Sequence, residues 1–370
     1  MAFETWDNPM GTAGFEFIEY AAPDPAALGK VFEQLGFKAV ARHRHKNVML
    51  YRQGSINFIV NAEPDSFAQR FARLHGPSIC AIAFRVEDAA AAYRRALDLG
   101  AWGADTRSGP MELNIPAIKG IGDSLIYLVD RWHGKGGRNG GIGDISIYDV
   151  DFEPLNPATA EADAAWSGVG LAYVDHLTHN VHRGRMKEWS EFYERLFNFR
   201  EIRYFDIKGA KTGLLSKAMT APDGIVRIPL NESSDEKSQI NEYLREYKGE
   251  GIQHIALFTD DIYASIEQMR EAGIEFLDTP DTYFDVIDQR VPNHGEDVPR
   301  LARNKILIDA DAETKQRLLL QIFTENMIGP IFFEMIQRKG NEGFGEGNFK
   351  ALFESIELDQ IRRGVLPAKD

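Results

Sequence analysis

The sequence predicts an α+β protein made of two tandem repeats, each a helix packed on a curved, barrel-like sheet, and three observations predict it. A chain of 370 residues exceeds what one hydrophobic core usually serves, so two or more domains are expected. The stretch His133-Gly-Lys-Gly-Gly-Arg-Asn-Gly-Gly-Ile-Gly143 carries six glycines after His133 and reads as a flexible connection. The apolar patterns on its two sides match at fixed offsets, the mark of an internal repeat.

The matches run in chain order. Leu28, Val31, Phe32 and Leu35 have helical spacing, and Trp189, Phe192, Tyr193 and Leu196 repeat it 161 positions later. Next, Ile79–Asp88 resembles Ile252–Asp261: an apolar strand, an acidic helix start, then a helix stopping at Gly100 or Gly273, all offset by 173. Finally Leu125–Arg131 parallels Phe332–Arg338 at an offset of 207, the growth reflecting insertions around residues 281–316. Between the halves, Ile145–Phe152 alternates and reads as a strand, placing the domain junction near 150–160 and the domains at 1–153 and 154–370. One unit is thus a strand, a helix and several mostly antiparallel strands.

Composition narrows the function. The net charge of −14 argues against nucleic acid as a partner and against docking on anionic membrane lipid. A single cysteine, Cys80, excludes an internal disulfide and fits a reducing compartment. No apolar run reaches the roughly 18 residues of a membrane span, and the first residues lack the pattern of a secretory signal. A cytoplasmic location is the expectation.

The candidate chemistry lies in the second half. Val174-Asp-His176-Leu-Thr-His179-Asn-Val-His182 reads as a strand, since Val174, Thr178 and Val181 are β-branched. On a strand His176 and His179 face opposite sides, while His176 and His182 stand about 20 Å apart. At most one of them can serve a given ion. The repeat supplies partners: His254 and Glu334 each interrupt an apolar strand, where an unpaired ionisable group is costly. The offsets carry His176, His254 and Glu334 onto Phe15, Ala81 and Tyr127 of the first half. A lone strand histidine is more often a satisfied core residue, but three polar exceptions at matching slots point to a metal site. Two imidazoles and a carboxylate suit non-haem Fe(II), with positions open to substrate and dioxygen; Zn(II) accepts similar ligands.

Several motifs are more specific: Val174–Asn180, Ile228-Pro-Leu-Asn-Glu232, Gly251-Ile-Gln-His254, Leu319-Leu-Gln-Ile-Phe323, Phe333–Arg338 and Gly343–Phe353. With them the whole chain resembles the 4-hydroxyphenylpyruvate dioxygenase family of the vicinal-oxygen-chelate superfamily. The resemblance implies two tandem vicinal-oxygen-chelate domains built from βαβββ modules, with Fe(II) on His176, His254 and Glu334. It implies 4-hydroxyphenylpyruvate and dioxygen as substrates, and homogentisate and carbon dioxide as products, in tyrosine catabolism. Phe332, Phe344 and Phe349 would wall the aromatic slot. Ser216, Asn231, Gln239, Gln253 and Gln321 would form its polar network, with Asn348 also touching substrate. Catalytic parts fall to Gln239, Gln253 and Phe349. The first domain would serve packing and assembly, in a homo-oligomer that the family's bacterial members suggest is a tetramer.

Gly343-Phe-Gly-Glu-Gly347 imitates a dinucleotide-binding loop, but position 348 is Asn where the third glycine should stand. Asn348 reads instead as the N-cap of a helix over about 348–363 that presents Phe349, Leu352, Phe353 and Ile356, and resemblance makes this helix a lid. Rival functions are 4-hydroxymandelate synthesis on the same fold, extradiol ring cleavage with His179 conscripted as an acid–base group, and non-catalytic binding of a metal or aromatic ligand. His43, His45, His75, His133, His182 and His294 have no assigned part.

Overall fold

The structure is a computed structural model that describes residues 4–106, 108–132, 145–208, 213–311, 316–345, 347–349, 360–361 and 363–365. The first sheet holds β1 (Phe15–Ala21), β2 (Lys38–His43), β3 (Val48–Gln53), β4 (Ile56–Asn61), β5 (Ser78–Arg85), β6 (Ala117–Lys119), β7 (Leu125–Val129) and β8 (Phe152–Pro154). The second holds β9 (Leu171–Val181), β10 (Arg200–Lys208), β11 (Gly213–Thr220), β12 (Arg227–Ser233), β13 (Gly251–Thr259), β14 (Leu307–Ala310), β15 (Leu318–Phe323) and β16 (Phe332–Lys339). Their orders are β6-β7-β5-β1-β4-β3-β2-β8 and, read from the corresponding edge, β14-β15-β16-β13-β9-β12-β11-β10. Seven strands correspond, and each sheet adds one strand of its own at opposite ends. Two corresponding sheets in tandem are what the repeat foretold, and their arrangement fits the vicinal-oxygen-chelate modules that the resemblance implied.

The predicted helices form where the apolar spacing put them, at Pro25–Gln34 and Met186–Phe197. Asp88 and Asp261 each cap the helix that follows, accepting a backbone N–H, and Gly100 and Gly273 take the positive φ that ends those helices. One continuous apolar core joins the two sheets. Across it Phe84 packs edge-on to Phe197 at 5.2 Å, and Gln53 accepts the backbone N–H of Val169 at 2.7 Å. Among the described residues, no helix is long and apolar enough to cross a membrane.

Two sequence expectations fail here. Ile145–Phe152 is not a strand: Ile147–Asp151 is helical, opened by a capping box between Ser146 and Asp149, and only Phe152–Pro154 extends the sheet. The reciprocal side-chain bonds of that box outweigh the alternation that suggested a strand. The counterpart of His176 is also not Phe15. Thr178 faces His254 as Glu19 faces Ala81, so the offset on this strand is 159 and His176 falls on Phe17. The sequence hides this because the connection from strand to helix is two residues longer in the second half, running from Thr178 to Met186 where the first half runs from Glu19 to Pro25, so the helix offset of 161 does not hold on the strand.

Candidate metal centre

Strand β13 lies between β9 and β16, antiparallel to the first and parallel to the second. Ala256 is opposite His176 on one side and Glu334 on the other, while His254 is opposite Thr178 and Phe332. Side chains two residues apart share a face, so His254 stands on the same face as the row His176–Ala256–Glu334. The fully buried Ala256 carries only a methyl there, which leaves room for the longer side chains to converge above it. They do converge. One ligand atom from each of His176, His254 and Glu334 lies within 4.8 Å of the others, and all three residues are buried. Glu334 Oε2 is 3.1 Å from His176 Nε2 and 3.4 Å from His254 Nε2.

The electrostatics keep the carboxylate charged. Burial pushes the Glu334 pKa up, but the two imidazoles outweigh it and hold the group down at about 2. Burial lowers His254, whereas at His176 the Glu334 and Asp175 carboxylates overcome burial and raise the pKa. Both rings are oriented from behind. Asp175 accepts a hydrogen bond from His176 Nδ1 at 2.8 Å, and Gln253 Oε1 lies 3.2 Å from His254 Nδ1. Each Nε2 is thereby turned toward Glu334, with its lone pair available to a metal once it is deprotonated.

Asp175 and Arg338 are functional residues that the sequence reading passed over. Arg338 forks onto the Asp175 carboxylate at 2.7 and 2.8 Å, and Arg227 approaches it at 3.3 Å. Burial alone would raise the Asp175 pKa; these guanidinium groups hold it well below the usual carboxylate range. Arg338 also donates to the carbonyls of Asn341 and Gly343, fixing the loop that delivers Phe344 edge-on to His176 at 5.5 Å. An Asp directly before a candidate ligand, and an Arg four residues after Glu334 on the same strand face, were the available signals.

Of the other predicted site residues, Phe332, Phe344, Gln253 and Gln321 touch the triad residues directly. Phe332 stacks on His254 at 4.9 Å, and it lines a cavity of about 230 Å³ together with Gln239, Gln253, Tyr243 and Arg363. Ser216 and Asn231 are buried and directly opposite each other on β11 and β12. Gln321 has its amide engaged within the protein. It donates to Glu334 Oε1 at 2.8 Å and to the Phe344 carbonyl at 3.2 Å, and accepts from Asn348 Nδ2 at 3.0 Å. Asn348 is not an N-cap: residues 347–349 are already helical. Its side chain bridges Gln321 and the Tyr283 hydroxyl, while Asp309 accepts the Gly347 N–H. Phe349 meets Phe205 at 5.3 Å; Leu352, Phe353 and Ile356 of the expected lid lie outside the described residues.

His179 faces away from the centre, buried with Nε2 at 2.8 Å from the Tyr193 hydroxyl, and burial holds its pKa down at about 3. It is a neutral core residue and no acid–base group for ring cleavage. In the first domain the matching slots hold Phe17, Ala81 and Tyr127, and the Phe17 and Tyr127 rings fill the space at 5.5 Å.

Comparison with known proteins agrees with this geometry. Residues 6–153 match the family model "Hydroxyphenylpyruvate dioxygenase, HPPD, N-terminal", and residues 173–286 match "Glyoxalase/Bleomycin resistance protein/Dioxygenase superfamily". A 4-hydroxyphenylpyruvate dioxygenase of Pseudomonas sp. (strain P.J. 874) is 56% identical, over 98% of this chain and 99% of its own. The chain belongs to the 4-hydroxyphenylpyruvate dioxygenase family. Within reach of this family, "Hemolysin VllY" of Vibrio vulnificus is 60% identical over 97% of this chain and 98% of its own. A solved 4-hydroxymandelate synthase variant from Streptomyces coelicolor superposes with a TM-score of 0.80 at 25% identity, covering 95% of this chain and all of that one.

Proposed function

We propose that the chain converts 4-hydroxyphenylpyruvate and dioxygen to homogentisate and carbon dioxide, by oxidative decarboxylation, ring hydroxylation and side-chain migration. The observation that carries this is the convergence of two imidazoles and one carboxylate in a buried, aromatic-walled site of a chain more than half identical to such an enzyme. The donor set fits ferrous iron: two neutral nitrogens and one ionised oxygen on one side, leaving the other side to ligands. His176 Nε2, His254 Nε2 and Glu334 Oε2 would hold the ion. Bound there, iron supplies the redox chemistry and the template for a 2-oxo acid and dioxygen.

The chain's own residues do the rest. Asp175 and Gln253 keep both imidazoles turned inward, and Gln321 holds the second Glu334 oxygen. Phe332 and Phe344 pack against the two histidines, which shields the reacting atoms from water. Ser216, Asn231, Gln239 and Gln253 form the polar contacts to the substrate, with Phe349 closing the aromatic wall. Residues 154–370 carry catalysis, 1–153 support assembly into a tetramer, and the cytoplasm is the working compartment.

Hydroxymandelate synthesis is the second reading, because the same fold supports it. The deciding experiment incubates ferrous-loaded protein with 4-hydroxyphenylpyruvate in air and identifies products by mass and NMR. Homogentisate with one equivalent of carbon dioxide supports the proposal, while 4-hydroxymandelate replaces it with the rival.

A further inference from the structure

Beyond the Phe17 and Tyr127 rings, on the face of the first sheet that matches the metal-bearing face of the second, a cavity of about 140 Å³ remains. An engineered apolar cavity of about 150 Å³ takes up one benzene, so this one admits a single ring. Phe17, Tyr127 and Phe152 give it aromatic walls. It reaches the surface beside the half-buried His43 and Lys46 and the exposed Ser108. The proposed reaction makes no use of it.

Five ionisable side chains line this cavity: Glu19, His43, Lys46, Glu112 and Asp151. Lys46 and Glu112 are an ion pair at 2.6 Å and offset each other. His43 Nδ1 accepts the backbone N–H groups of His45 and Lys46, each at 3.2 Å, and burial lowers its pKa, so the ring stays neutral. That leaves Glu19 and Asp151, both buried, and burial raises the pKa of each. Asn61 donates to Glu19 Oε1 at 2.7 Å, and the Leu113 N–H donates to Asp151 Oδ1 at 3.1 Å. Asp151 Oδ2 has no hydrogen-bond partner among the described residues.

A buried carboxyl with an oxygen to spare, lining open space, is completed by a donor that enters that space. An anion would meet three carboxyl groups and a lysine already engaged. A neutral apolar molecule would leave Asp151 as it is. An ammonium group brings three donors and the opposite charge, and aromatic faces tolerate it. We propose that this cavity binds a small primary amine with an apolar body about one ring in size. Asp151 Oδ2 accepts from the ammonium, Glu19 adds negative field, and Phe17, Tyr127 and Phe152 hold the body. The site belongs to the first domain and does not rest on the reaction proposed for the second.

The test is anaerobic titration calorimetry of the full-length, ferrous-loaded chain with 2-phenylethylamine. 2-Phenylethanol and 3-phenylpropionate serve as neutral and anionic controls of like bulk. The amine should bind at one site per chain, at least about tenfold more tightly than either control. Asp151→Asn, whose side-chain oxygen still accepts from Leu113, should weaken the amine more than about tenfold, the scale of one charge-assisted bond. His254→Ala, which disables the metal centre, should bind the amine as wild type does. No binding of the amine, equal affinity for all three probes, an unchanged Asp151→Asn, or loss of binding in His254→Ala overturns the inference. If Asp151→Asn does not fold, Glu19→Gln replaces it: a severalfold loss of amine affinity supports the site, and an unchanged affinity overturns it.

Discussion

Replacing Gln321 by leucine removes one amide from three buried bonds while nearly preserving volume. The bond to the ionised Glu334 carboxylate contributes about 1.5–3 kcal/mol, and those to the Phe344 carbonyl and the Asn348 amide about 0.5–1.5 kcal/mol each. All the partners are buried, and no water replaces the lost donor without rearrangement, so the loss lies near the middle of that range, about 4 kcal/mol. For a cooperative unit the size of the second domain, that lowers melting by about 8–16 °C. The assay is differential scanning calorimetry of metal-free wild type and Gln321→Leu at neutral pH, followed by titration of each with Fe(II). The variant should melt earlier and hold metal more weakly, because Glu334 loses the donor that fixes its second oxygen. A variant with unchanged melting and metal affinity, impaired only toward the aromatic substrate, would refute this reasoning. Its amide would then serve the ligand and not Glu334.

Two further outcomes follow from other parts of the structure. His179 stays neutral in the fold down to about pH 3, whereas an unfolded histidine protonates near pH 6.5. The unfolded chain therefore takes up the extra proton between those values, and stability falls by about 1.4 kcal/mol for each pH unit of acidification in that window. Urea unfolding at several pH values should show this slope in wild type and a shallower one in His179→Phe; identical slopes would contradict it. Glu242 accepts from Gln360 at 2.8 Å and from Arg363, so Glu242→Ala should expose the C-terminal residues to trypsin and raise KM severalfold with metal binding intact. Unchanged cleavage and KM would show that this contact does not secure the C-terminus.

Much of this molecule can be read from its sequence because a repeat exposes its own exceptions. His254 and Glu334 stand out where Ala81 and Tyr127 keep the apolar pattern, and both are charged or polar groups in the middle of buried strands. Resemblance then extends that contrast to the aromatic wall and the pocket amides. What eludes sequence reasoning is register and third partners. The two extra residues between strand and helix in the second half leave no compositional mark, so the helix offset places the slot for His176 two residues early. Asp175 and Arg338 meet across 163 positions, and only the pairing of β9 with β13 and β13 with β16 brings them together. Ser146 and Asp149 did carry a readable signal, a capping box, but the alternating apolar residues around them masked a short helix. Asn348 looked like a cap by residue type, yet the helix begins before it and Asp309 takes the capping role from another strand.

The proposed function turns on His176, His254 and Glu334, whose ligand atoms lie within 4.8 Å of one another and would hold one ferrous ion. Anaerobic titration of the protein with Fe(II) and 4-hydroxyphenylpyruvate tests it most directly. A weak visible charge-transfer band should saturate at one iron per chain and be absent from His254→Ala and Glu334→Ala. A band that survives either substitution, or a wild-type protein that binds no ferrous ion, would contradict it.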